Sequence, residues 1–305
     1  MGYYNNYYGV GLAHHVEVKI AKYEFGYEFI TRALQYLNFR AWAFFTISAV
    51  LIWYFFIQSF KPFPHLLKWG FFFAFTTGFF FASMNGLRQS IALAIFMYAI
   101  KFIEKGSLKK YTLYIFTALA FHTSILLVYP FYFFIKKISF TGRKWLMLYV
   151  LTYVVGTKID IRGIIIAGLG LFPKYQHYTE RFLEDFSNPT PWGFGNIYFF
   201  AIGFAIILLS KDLLKKAPWM GVYYNLFFIG SILFNFLWRY SILGRVTYLF
   251  IWFKIFCLAS LVHYFGKSKY SWLVYLILVG EIIMFFYKIY KGENLCSPFQ
   301  FLGFA

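Results

Sequence analysis

Acidic side chains are scarce in this sequence. Asp and Glu number 11 in 305 residues against 29 Lys and Arg, and all charged residues together make up only 13%. So little charge beside 61% hydrophobic and 26% aromatic residues, with a mean hydropathy of +0.62, excludes an ordinary soluble domain. The bilayer must be the solvent for most of this surface. Cysteine is almost missing: Cys257 and Cys296 imply no disulfide framework. The opening stretch "MGYYNNYYGVGLAHHVEV" has no basic segment followed by an apolar one, so it does not read as a signal peptide. Position 6 is neither Ser nor Thr, so a myristoylated Gly2 is not expected either. No cluster of His, Cys and carboxylates has metal-ligand spacing, and there is no Asp-X-Asp, no P-loop and no Gly-X-Ser-X-Gly. The net charge of +18 comes without RNP-like, zinc or helix-turn-helix signatures, so no nucleic-acid partner is expected.

What is present is a series of apolar runs. They fall at roughly Ala41–Phe60, Trp69–Ala82, Leu87–Ile103, Tyr111–Ile135, Trp145–Gly156, Asn196–Ser210, Trp219–Leu237, Val246–Tyr264 and Ser271–Tyr290. A crossing takes about 20 residues, so several runs must recruit flanking aromatics. The expectation is an all-α, polytopic membrane protein of about 8–10 transmembrane helices. It reads as a single domain over 1–305 with an outer loop at about 157–195.

Five basic clusters set the orientation: Lys61 and Lys68; Lys101, Lys105, Lys109 and Lys110; Lys136, Lys137, Arg143 and Lys144; Lys211, Lys215 and Lys216; Lys267 and Lys269. With all five cytoplasmic, alternation fails only across Tyr111–Ile135, which carries His122 near its middle. A re-entrant or broken helix turning near His122 restores the pattern; an ordinary span with one violation is the rival. With the re-entrant turn, the N-terminal segment, Asn85–Gln89, the long loop, Arg239–Arg245 and the C-terminus face the non-cytoplasmic side. Eight of the acids lie there too: Glu17, Glu24, Glu28, Asp160, Glu180, Glu184, Asp185 and Glu293.

The candidate site residues come from that face. Arg88 and Gln89 open an apolar helix, where free N–H groups and the helix dipole favour an anion. Asn85 is expected to cap it, and Gly86 to let a ligand approach the backbone. Arg88 brings a planar fork suited to phosphate or carboxylate, though an interfacial arginine snorkelling to headgroups has the same spacing. Arg239 and Arg245 flank "YSILG" as further cations or as topological anchors. His122 at membrane depth is a proton carrier, a phosphate donor or a packed histidine, with Ser124 expected to bond nearby backbone. Glu24 and Glu28, four apart in "KYEFGYEFITRAL", share a face if helical; a carboxylate there suits a general base, or a solvated surface with Tyr27 as an interfacial belt residue. Tyr175, His177 and Tyr178 in the outer loop suit stacking on sugars or contact with a membrane surface. Glu281, inside the last run, is the best hint of ion coupling.

"NGLRQSIALAIFMYAI" followed by "YTLYIFTALAFHTSILL" resembles the EpsG family of bacterial exopolysaccharide polymerases, within the wider Wzy-like group. "YEFGYEFITRAL" is similar to that family's Glu-X-Gly-Tyr segment, "PKYQHY" to its Lys-Tyr-then-Tyr element, "GRVTYLF" to its Arg-then-aromatic helix and "SPFQF" to its ending. Members usually open on another transmembrane helix and an outer Gly-Asp pair, which these 305 residues lack, so no role for that Asp carries over. The resemblance implies a metal-independent glycosyltransferase with a GT-C-like all-helical fold and no cofactor. It would pass a glycan from undecaprenyl diphosphate to a hydroxyl of another lipid-linked repeat unit, outside the bacterial cytoplasmic membrane. Arg88 and Arg245 would serve the diphosphate, and Glu24 or His122 the hydroxyl. Asn85, Gln89, Tyr175, His177, Tyr178 and Arg239 would contact substrate. A flippase and a chain-length regulator are implied as partners by the resemblance alone, and membrane lipid by the composition. A lipid-linked glycan transporter and a membrane acyltransferase are the competing readings.

Overall fold

Inside a bilayer every backbone N–H and C=O must find a partner within the chain, which drives apolar runs of this length into helices. A computed structural model describes residues 24–158, 163 and 193–292. Among them the secondary structure is helical, with no strand. The chain divides into two compact units, one of Met1–Phe134 with Phe285–Ala305, the other of Ile135–Met284.

The first unit holds α1 (Phe25–Tyr36), α2 (Ala41–Phe60), α3 (Leu67–Thr76), α4 (Phe79–Asn85), α5 (Leu87–Glu104) and α6 (Leu108–Leu119). At its centre is α5, packed on α2 and α6, with Ile91 to Met97 all buried. Wrapped by protein in this way, α5 tolerates an arginine in its first turn better than a lipid-facing helix would. Between α3 and α4 the axis bends by 60°. Gly78 makes the bend with φ +88, a value that favours glycine, and Lys288 Nζ donates to the Thr77 carbonyl at 3.0 Å.

The Tyr111–Ile135 run is not one helix. α6 stops at Leu119, His122 is extended (φ −158, ψ 121), and a 3₁₀ segment covers Thr123–Val128 before the short α7 (Phe131–Phe134). The second limb lies back against the first. Tyr111 Oη donates to the Val128 carbonyl at 2.8 Å, the Thr112 and Tyr129 hydroxyls are 3.1 Å apart, and Tyr111 stacks on Tyr129. Residues near the start of α6 therefore meet residues beyond His122, and the run is a hairpin with His122 at its apex.

The second unit holds α8 (Arg143–Lys158), α9 (Phe194–Lys216), α10 (Gly221–Leu237), α11 (Ser241–Ile251) and α12 (Lys254–Phe265). The last described helix, α13 (Ser271–Tyr290), begins there. α10 is its hub, against α8, α11 and α12. Buried Asn225 donates to the carbonyls of Ile135 and Ile138 at 3.0 and 2.7 Å, fixing the segment that enters the unit. At the α8–α10 crossing, Gly156 lies on the Asn235 carbonyl with no room for a Cβ, and Asn235 Nδ2 donates to Thr152 Oγ1 at 2.9 Å.

Five helices or continuous helix pairs among the described residues are long and apolar enough to cross a membrane, and the bent α3–α4 pair makes a sixth. These correspond to six of the nine apolar runs. Of the rest, Leu87–Ile103 is α5, whose ends carry Arg88, Lys101 and Glu104; Tyr111–Ile135 is the hairpin; and Trp145–Gly156 falls in the 16-residue α8. The protein is a multi-pass membrane protein.

Candidate functional site

Three of the four residues expected to carry chemistry meet in the first unit. Glu24 immediately precedes α1 with an extended backbone (φ −70, ψ 144). Its Oε2 accepts from Nη1 of Arg88, in the first turn of α5, and its Oε1 faces Nδ1 of His122, at the hairpin apex, at 3.2 Å. One carboxylate thus joins residues 64 and 98 positions away. The side chains remain reachable: Arg88 is 28% exposed, His122 27% and Glu24 14%.

Local sequence builds this junction through "EFGY". Two residues past the carboxylate, Gly26 N–H donates to the Ala120 carbonyl at 2.6 Å, tying the start of α1 to the hairpin turn. A Cβ at Gly26 would stand 2.8 Å from that oxygen, so only glycine permits this approach. Tyr27 is 1% exposed, places its ring 5.4 Å from the Arg88 guanidinium carbon and meets Phe44 edge-on. It is not the interfacial belt residue that its type suggests. Neither Gly26 nor Tyr27 stood out as a site residue in the sequence; the spacing Glu-X-Gly-Tyr was the available signal.

The electrostatics follow from the geometry. Glu24 lies outside the segments able to span a membrane. Burial alone would raise its pKa, but the hydrogen bond from His122 and the charge of Arg88 outweigh it and hold the carboxyl at about 2, below its ordinary 4.5. Glu24 is therefore a fixed anion, and a weak base. A carboxylate oxygen can only accept, so this contact puts a proton on His122 Nδ1. Among the described residues Nε2 has no hydrogen bond.

Other expectations are met differently. Glu28 does not join the cluster; it pairs with Arg32 one turn on, at 2.5 Å. Asn85 is exposed at the end of α4 and does not cap α5, whose N-cap is Gly86 with no side-chain hydrogen bond. Gln89 follows Arg88 in the first turn of α5. The Ser124 hydroxyl is buried without a hydrogen-bond partner among the described residues, so the expected backbone bond is missing. Arg245 is exposed on α11 of the second unit. Arg239 is half-buried there: Nη2 donates to the Thr157 carbonyl at 2.5 Å, where a cation suits the C-terminal turn of α8. Glu281 is buried, with Tyr198 packed against neighbouring Gly280. Tyr175, His177 and Tyr178 lie outside the described residues. Among those described, no group of three His, Cys, Asp or Glu is placed to hold a metal ion.

A family model described as the EpsG family matches residues 1–301. No curated protein and no solved structure matches the chain.

Proposed function

Because the chain belongs to the EpsG family, we propose that it is a membrane glycosyltransferase polymerising lipid-linked oligosaccharide repeat units into an exopolysaccharide, capsule or O-antigen. The donor is a growing glycan on undecaprenyl diphosphate, and the acceptor is a terminal hydroxyl of another lipid-linked unit. The observation that carries this reading is the single carboxylate of Glu24 held between Arg88 and His122. A diphosphate leaving group needs a fixed cation, and an acceptor hydroxyl needs a base; here both kinds of group share one anchor.

In this mechanism Arg88 contacts the diphosphate as the bond from the anomeric carbon to the diphosphate oxygen breaks and its electron pair departs with the leaving group. The acceptor oxygen forms the new bond to that carbon, and its proton passes to His122 Nε2. Glu24 is a positioning residue. It holds the imidazole in the tautomer with Nδ1 protonated and stabilises the cation formed when Nε2 takes the proton. A carboxylate with a pKa of about 2 is too weak a base for the hydroxyl itself, which favours His122 over Glu24 as the base. Gln89 and Asn85, beside Arg88 in the first unit, are proposed contacts for the remaining phosphate. The basic loops support a site facing the exterior of the cytoplasmic membrane, where a flippase would deliver donor and acceptor and a chain-length regulator would limit the product. No metal is invoked, since Arg88 supplies the cationic charge.

The test is polymerisation in detergent, with the purified protein and its native lipid-linked repeat unit, read as a glycan ladder. Wild type should give a ladder and His122→Gln none, with both folded. Absence of a ladder from folded wild type would overturn the assignment.

A further inference from the structure

Arg88 cannot grip a diphosphate while it is gripping Glu24 in the same way. Nη1 of Arg88 is engaged by Glu24 Oε2, so a phosphate oxygen that needs that donor competes with the carboxylate for one cation. We propose that Glu24 is an internal stand-in for the diphosphate: it occupies the anion position of Arg88 in the empty enzyme and yields it when the donor arrives. This inference rests on the reading of Arg88 as the partner of the leaving group.

Four observations carry it. The carboxylate is divided, Oε2 to Arg88 and Oε1 to His122, so losing one partner does not release it from the other. Arg88 and His122 belong to different elements, the first turn of α5 and the hairpin apex, and the carboxylate reaches both from a third. Glu24 sits just outside α1 rather than within it, so its side chain can re-aim without unwinding a helical turn. Arg88 is 28% exposed and already braced on the Tyr27 ring, so an incoming anion can reach a guanidinium that need not move.

The exchange has a chemical consequence. While Arg88 and His122 share Glu24, the carboxylate's charge is largely satisfied by the permanent guanidinium cation. Once a diphosphate takes Arg88, the whole carboxylate charge falls to His122, and transfer of a proton to Nε2 becomes more favourable. The base is thus strengthened when the leaving group is in place, and it is held back when water is the only nucleophile and no donor is bound.

Binding and turnover separate this proposal from the function on which it rests. Inorganic pyrophosphate is titrated calorimetrically into detergent-solubilised wild type, Glu24→Gln, Arg88→Gln and His122→Gln. With the competing anion removed, Glu24→Gln should bind pyrophosphate about 3- to 10-fold more tightly than wild type, as expected for freeing one partly exposed ion pair. Arg88→Gln should lose the binding, and His122→Gln should keep it. In the ladder assay Glu24→Gln should then show a lower KM for the donor together with a lower kcat. Equal or weaker binding by Glu24→Gln, or binding indifferent to Arg88, would overturn the exchange even if wild type makes a ladder. Tighter binding by Glu24→Gln without any ladder would sustain the exchange and remove the polymerase. Should Glu24→Gln not fold, Glu24→Ala serves with added formate. Formate should weaken pyrophosphate binding in that variant but not in wild type, and no such difference would count against the proposal.

Discussion

An alanine at position 26 adds one methyl group to the chain. In the structure that carbon would stand 2.8 Å from the Ala120 carbonyl oxygen and 3.2 Å from a ring carbon of Phe121. Carbon–oxygen contacts relax at about 3.3 Å, so the gap has to open by roughly half an ångström. The oxygen cannot swing aside, because it is main chain and accepts the Gly26 N–H at 2.6 Å. The start of α1 and the hairpin turn must therefore part. Overpacking of this kind costs about 1–3 kcal/mol, and weakening the hydrogen bond adds about 1 kcal/mol. Glu24 stands two residues before the glycine and His122 two residues after Ala120, so the same movement pulls the carboxylate from the imidazole. Misplacement by 1 Å costs a reaction about 100-fold, and half that displacement predicts a fall of about 10-fold or more. The assay is the initial rate of ladder formation beside the melting temperature in detergent, with Gly221→Ala as the control. Nothing lies within 4 Å of a Cβ at Gly221, so both quantities should hold there. A Gly26→Ala protein that melts early but polymerises at the wild-type rate would refute the link between this contact and the chemistry.

Arg88→Lys keeps the charge but loses the planar fork, and should lower the polymerisation rate about 10- to 100-fold in protein that still inserts; an unchanged rate would mean that point charge alone suffices. The depressed pKa of Glu24 sets a pH window for stability. Its contribution is complete above about pH 4.5, is lost as pH falls towards 2, and amounts to about 2–3 kcal/mol. The melting-temperature gap between wild type and Glu24→Gln should accordingly be present at pH 7 and close on acidification; a gap that persists at pH 2 would contradict the ion-pair account. Arg239→Ala should free the Thr157 carbonyl and cost about 1 kcal/mol of stability, with Arg239→Lys recovering part of it. A Tm unchanged by Arg239→Ala would show that this cap contributes nothing.

The helical class and the run boundaries were legible because hydropathy acts locally: Ala41–Phe60 and Ser271–Tyr290 begin and end where the apolar runs do. The broken helix near His122 was legible for a different reason. Basic residues at both ends of Tyr111–Ile135 conflict with a single crossing, and the doubling back of Val128 and Tyr129 onto Tyr111 and Thr112 resolves the conflict. Asn85 misled because cap preference is read from residue type alone, whereas α4 continues through Asn85 and leaves Gly86 as the N-cap of α5. Tyr27 misled likewise. An aromatic ring in an amphipathic segment suits a membrane interface, until α2 supplies Phe44 and α5 the Arg88 guanidinium to cover it.

Residue type and order alone determined a multi-pass helical membrane protein, the basic charge of its loops, and Glu24, Arg88 and His122 as separate candidates. Their union could not be read along the chain, since partners 64 and 98 residues apart carry no local trace of one another. Tertiary structure decided that Glu24 rather than Glu28 meets Arg88 and that the same carboxylate reaches His122. The physical reason is the close approach of Gly26 to Ala120, which brings the start of α1 against the hairpin apex and leaves one carboxylate between two partners.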